Sequence, residues 1–144
     1  DHIMLDFNLL RQDRLNVMEK FSNQGVKVWA GTALCQGFLV QSLFELILRT
    51  RSLSYLARAL LQSETRLLLD KSKIMRRYLR ANYPELFSAI PLQYVLQCEL
   101  VDFVPVGMLS SSSISRNVQV SSLSIPQSLI QDVEYWAHEF AQLT

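Results

Sequence analysis

Apolar and polar positions along the 144 residues follow two different periods. Short apolar runs that stop at polar or glycine residues predict strands. Ile3 to Phe7 is one, ending at Asn8, and Val26 to Ala30 is another, opening at once into the loop Gly31-Thr32-Ala33-Leu34-Cys35-Gln36-Gly37. Val101 to Gly107 predicts a third. Between these runs the apolar spacing changes to three and four residues. Leu15, Val17, Met18 and Phe21 predict a helix over roughly Asp13 to Asn23, with Gly25 as its terminator.

From Phe38 to Arg80 the pattern is helical throughout, with no proline, no glycine, and apolar residues recurring as at Leu53, Leu56, Leu60, Leu67 and Ile74. Two or three helices are expected there, with breaks near Thr50–Ser52 and Asp70–Ser72. Asn82-Tyr83-Pro84 marks a turn and the start of a helix reaching about Cys98, with an interruption at Pro91. Ser110 to Ser113 reads as a serine-rich loop entering a short helix. The last helix has Ser124 near its cap, Pro126 in its first turn, and Leu129, Ile130, Val133, Trp136, Ala137 and Phe140 on one face.

Strand and helix alternate three times, which predicts an α/β fold with three parallel strands, right-handed crossovers and a helical insertion at about 40–80. The whole chain, 1–144, reads as one domain. Three βα units are too few to close an eight-fold barrel, which takes about 250 residues. A three-stranded parallel sheet leaves two edges and one uncovered face, so the chain is expected to need a partner.

Composition narrows the classes. Apolar residues make up 49% and charged residues 19%, which excludes a disordered tail. The mean hydropathy of +0.13 fits a large buried fraction or a surface that rests against something else. No apolar run reaches the roughly 18–20 residues of a membrane span, and the start, Asp1-His2-Ile3-Met4, is not of signal-peptide type. That start reads either as a chain that has lost its initiator Met or as an excised piece. A cytoplasmic location is the resulting expectation. Cys35 and Cys98 read as buried reduced thiols, and no His or Cys pair has zinc-site spacing, so no metal site is expected.

Charge changes the picture in one place. Arg49 to Arg80 holds nine basic residues against only Glu64 and Asp70, while the net charge of the whole chain is +1. The plain reading is a solvated helical face, and a surface for an acidic partner, a cofactor phosphate or an anionic membrane is the alternative. A membrane surface is disfavoured because the basic residues are not confined to one face. No basic-plus-aromatic pattern points to nucleic acid.

Three segments, in order, resemble the aldo-keto reductases. "DHIMLDFNLL" (1–10) is similar to the sixth strand of that family, "GVKVWAGTALCQGFL" (25–39) to its seventh strand and the turn after it, and "VDFVPVGMLSSSSISRNVQV" (101–120) to its eighth strand and following helix. "IPLQYVLQCELVDFVPVG" also resembles the helical run before that last strand, whereas residues 40–80 match nothing in the family. The resemblance implies the last part of a TIM (β/α)8 barrel, ligands at the carboxyl ends of its strands, and NADP or NAD as cofactor. Carried over position by position, it implies backbone contacts to pyrophosphate from Thr32, Ala33 and Leu34. It places the segment Gly107-Met108, Ser113, Arg116 and Asn117 around the adenine and its ribose phosphate.

The match departs from the family at specific residues. Met4 stands where the family has a Gln that holds the nicotinamide carboxamide, and Gly31 where an aromatic ring stacks on it. The basic clamp on the 2′-phosphate corresponds to Gly107 (or Leu109) and Ser113, so no bidentate guanidinium remains there, although the hydroxyls of Ser110 to Ser113 and the helix amino end suit phosphate. The family's catalytic Tyr, Lys, Asp and His lie on its first four strands, so the resemblance implies no catalytic residue within these 144 and no activity from them alone. Asp6, near a strand end, reads as structural. Plain readings stay open beside these: Asn117 as a polar helix residue, Thr32 as a turn residue, the serines as a loop, His2 and His138 as surface histidines, and Trp29 and Trp136 as core.

Two functions follow. One is the carboxyl-terminal portion of a reductase that binds a nicotinamide dinucleotide and needs the amino-terminal barrel half. The other is a non-catalytic barrel remnant that self-associates or docks a protein through the basic insertion.

Overall fold

The computed structural model describes residues 1–42, 45, 63–108 and 110–142. The chain divides into two compact units, one of residues 1–33 with 89–144 and one of residues 34–88.

The first unit holds the sheet. Strands β1 (His2–Asp6) and β2 (Lys27–Gly31) pair in parallel, with Met4 opposite Trp29 and Asp6 opposite Gly31. Helix α1 (Leu15–Ser22) joins them, burying Met18. It ends where Gly25, at φ +76, lets the Val26 N–H reach back to the Phe21 carbonyl. One face of the sheet is closed, with Val28 and Ala30 fully buried. The other carries Met4, 57% exposed, and Phe103, 53% exposed, on either side of a half-buried Trp29.

The third expected strand is reduced to a bridge. Phe103 pairs with Trp29 in parallel, and the Val28 and Ala30 main chain exchanges three bonds with Asp102 and Phe103. Two residues explain the short ladder. Pro105 has no N–H to donate, and the Asp102 carboxylate takes the Val28 N–H at 2.8 Å that a strand carbonyl would otherwise accept.

Three helices complete this unit: α3 (Ile90–Leu96), α4 (Ser111–Ser121) and α5 (Gln127–Gln142). The proline expected to interrupt α3 instead opens it, because Pro91 occupies the first turn and residues 84–89 form turns. Helix α3 is buried on nearly every side, so its one central polar residue must be satisfied. Gln93 donates to the carbonyls of Val120 and Leu123, and Gln97 donates to Gln93 Oε1 and to the Ile125 carbonyl. These bonds tie α3 to the end of α4 and the approach to α5. Phe7 packs against Tyr94, whose hydroxyl bonds Glu134 at 3.2 Å. Helix α5 buries Ile130, Val133 and Ala137 on the face the spacing predicts.

The second unit contains a 3-10 turn (Cys35–Gly37) and α2 (Ser63–Asn82), whose buried side holds Thr65, Ser72, Met75 and Leu79. Helix α2 runs unbroken through Asp70–Ser72, where the sequence predicted a break, because nothing there interrupts good helix formers. The other expected break, near Thr50–Ser52, lies outside the described residues. Two of the basic residues in this unit have internal roles. Arg76 donates to the Phe38 and Gln41 carbonyls, both at 2.6 Å, and the Arg80 guanidinium lies 4.6 Å from the centre of the Phe87 ring.

Candidate functional site

In a parallel sheet, the segments leaving neighbouring strands at their carboxyl ends emerge along one rim, where α/β proteins bind ligands. Here that rim is formed by residues 7–8 after β1, 32–33 after β2, and 104–108 with Ser110 after Phe103.

The first two segments are tied by a polar network. Asn8 is 1% exposed, and its Nδ2 donates to the Thr32 carbonyl at 3.1 Å and to Thr32 Oγ1 at 3.4 Å. Its Oδ1 accepts the Leu10 N–H at 3.0 Å. The Thr32 hydroxyl donates to Asp6 Oδ1 at 3.2 Å, and Arg11 pairs with the other carboxylate oxygen at 3.3 Å. Thr32 sits at φ +54, a left-handed conformation that costs a residue with a Cβ about 1–2 kcal/mol. Such strain persists only where surrounding bonds hold it.

The third segment leads into α4. Ser110 is its cap, in extended conformation, and accepts the Ser113 N–H at 3.2 Å. Its hydroxyl also lies 2.9 Å from those of Ser112 and Ser113. Ser111 to Ser113 are therefore the first turn of the helix rather than a loop before it. Arg116 is exposed, with no ion pair among the described residues, and Asn117 is half-buried one turn in.

The residues singled out from the sequence thus fall in distinct places. Thr32 and Ala33 follow β2, Ala33 being buried, while Gly107 and Met108 lie exposed before α4, and Ser113, Arg116 and Asn117 lie on it. These seven belong to the first unit and to its carboxyl-end rim or the helix that follows it. Leu34 belongs to the second unit. Leu109 lies outside the described residues.

Two solved structures of an aldo-keto reductase from Bacillus halodurans, one in the holo form and one in the apo form, match 94% of this chain with TM-scores of 0.65 at 20% identity. The chain has the fold of the matched part of an aldo-keto reductase. It spans 42% of the length of those reductases. No family model and no curated protein matches the sequence.

The reductase fold brings a test of whether these residues suit a nicotinamide dinucleotide. The amino end of α4 has chemistry that suits a phosphate: hydroxyls and main-chain N–H groups gather there, with a guanidinium and a carboxamide on the next turn. At the carboxyl ends of the two strands the fit is poorer. Met4 has no directed donor or acceptor for a carboxamide. A Cβ on Gly31 would stand 3.4 Å from Met4 Cγ and 3.5 Å from Asp6 Oδ1, ordinary contact distances, so crowding does not force glycine there.

The sequence reading missed Asn8, which it took only as the end of a strand. The signal was an Asn two residues before an amide it can accept, at the edge of an apolar run. Trp29, read as core, is half-buried on the open face and flanked by rings. His2 stacks on it at 5.3 Å and Phe103 lies at 5.2 Å. Cys35 is buried and Cys98 half-buried, neither is in a disulfide, and burial pushes the Cys98 thiol up from its usual value. Among the described residues no group of His, Cys, Asp or Glu is arranged to hold a metal ion, and no helix is long and apolar enough to cross a membrane.

Proposed function

We propose that this chain is the carboxyl-terminal portion of an aldo-keto reductase-like, NAD(P)H-dependent oxidoreductase acting on a carbonyl or alcohol, and that these residues are inactive alone. The observation that carries the reading is the match of 94% of the chain to 42% of a reductase. The rim supports it, because Thr32 and Ala33 leave the sheet beside the segment that leads to the serine-rich helix start.

In this reading the main chain of Thr32, Ala33 and Leu34 meets the pyrophosphate. Gly107, Met108, Ser113, Arg116 and Asn117 surround the adenine and its ribose. The bound dinucleotide supplies the hydride, and the proton donor comes from the barrel half that these residues lack. A cytoplasmic location goes with such an enzyme.

The departures at Met4 and Gly31 favour a second reading, a non-catalytic barrel remnant that self-associates or docks another protein. One experiment separates the two. The intact mass of the protein is measured, and it is titrated with NADPH and NADH by fluorescence. A mass of at least twice 16.6 kDa with saturable binding, weakened about tenfold in Arg116→Ala, supports the reductase. A mass near 16.6 kDa with no binding of either dinucleotide sinks it.

A further inference from the structure

We infer that Asn8 is a positioning residue for the loop after β2: its carboxamide holds Thr32 in the left-handed conformation from which that loop leaves the sheet. The loop then meets its ligand through main-chain groups and not through the Thr32 hydroxyl. The inference rests on the reductase reading, which gives that loop to the dinucleotide.

Three observations carry it. Thr32 is β-branched and stands at φ +54, where such a residue is strongly disfavoured unless held. Asn8 is buried and bonded at both ends. Its oxygen takes the Leu10 N–H just past β1, while its nitrogen grips Thr32 at the carbonyl and the hydroxyl. A carboxamide anchored in this way transmits the position of β1 directly to the backbone of residue 32. The third observation is an account of protons. A hydroxyl has one to give, and that of Thr32 points to Asp6 Oδ1 at 3.2 Å, leaving none for a phosphate oxygen. Arg11 holds the same carboxylate from its other oxygen, so Asp6 is fixed as acceptor.

A buried Asn also contributes to stability in a general way, so the test must separate holding Thr32 from merely filling space. Glycine adopts φ +54 without strain and needs no clamp. The full-length protein is therefore compared with Asn8→Ala and with Asn8→Ala/Thr32→Gly. The readouts are NADPH and NADH affinity by fluorescence titration, and amide hydrogen exchange of residues 31–34 without ligand.

Asn8→Ala is expected to weaken both dinucleotides about tenfold and to speed exchange in that segment. Adding Thr32→Gly is expected to restore most of the affinity, since neither the clamp nor the hydroxyl is then needed. Unchanged affinity in Asn8→Ala, or a double variant no better than the single one, overturns the inference. If Asn8→Ala does not fold, Asn8→Asp, which keeps the shape and loses the donor, is compared with Asn8→Asp/Thr32→Gly by the same criteria. Failure of the unmodified protein to bind either dinucleotide overturns the reductase reading together with this one, whereas normal binding by Asn8→Ala overturns the clamp alone.

Discussion

Asp102 joins two chain segments with one carboxylate: Oδ1 accepts Lys27 Nζ at 2.7 Å and Oδ2 accepts the Val28 N–H at 2.8 Å. The Lys27 ammonium and the Val28 N–H hold its pKa below the usual carboxylate value. A carboxylate whose folded pKa is depressed contributes stability above its unfolded pKa, and that contribution is lost as pH falls through the folded value. Asp102→Asn should therefore be less stable than the unmodified protein at neutral pH, with the gap closing below about pH 4. Denaturant unfolding across a pH series checks this, and a gap that stays constant to acid pH would show that the pairing contributes nothing. Ser72 presents the opposite case. Its hydroxyl is fully buried on α2 without a hydrogen-bond partner among the described residues, so Ser72→Ala should raise stability by about 1 kcal/mol, read as a higher denaturation midpoint. Neither residue was legible in the sequence. An acid at a strand start and a serine in a helix are commonplace, and their roles depend on partners 74 residues away or on the lack of any.

At the scale of elements, the boundaries set by local chemistry were readable. Gly25 ends α1, and the apolar face of α5 is the buried one. Where the reading failed, two rules competed for one residue. Proline both breaks helices and starts them, and Pro91 starts α3 because it falls in the first turn. Serines favour loops and helix caps alike, and the run 110–113 resolves into one cap and a first turn. Only Ser110 caps, so its hydroxyl should matter where its neighbours' do not. Ser110→Ala should destabilise the protein by about 1 kcal/mol and Ser111→Ala should leave stability within about 0.5 kcal/mol of the original. Equal losses in the two variants would contradict the assignment of the cap. The third strand was overread, because its apolar run is real but Pro105 and the Asp102 side chain use up the groups that would extend the ladder.

At the scale of the molecule, the sheet explains why this chain is expected to need a partner. Val28 and Ala30 are covered on one face, while Met4, Trp29 and Phe103 form an apolar row across the other, with His2 stacked at its end. The reductase reading makes that row the lining of a barrel whose remaining strands cover it. The alternative makes it a self-association surface. The double substitution Met4→Glu/Phe103→Glu distinguishes them through the sign of its effect in two contexts. In residues 1–144 expressed alone the row is open, so the charges should lower dye binding to exposed apolar surface and shift the chain toward monomer in sedimentation. In the full-length protein the same charges would replace two covered apolar side chains, each contributing roughly 1.5–3 kcal/mol, and add the penalty of burying carboxylates. A loss of several kcal/mol, enough to unfold a domain of ordinary stability, is expected there. Opposite effects in the two contexts are what a barrel interior requires. If the double variant leaves the full-length protein as stable as before, the row is not covered by further strands, and the self-association reading takes precedence.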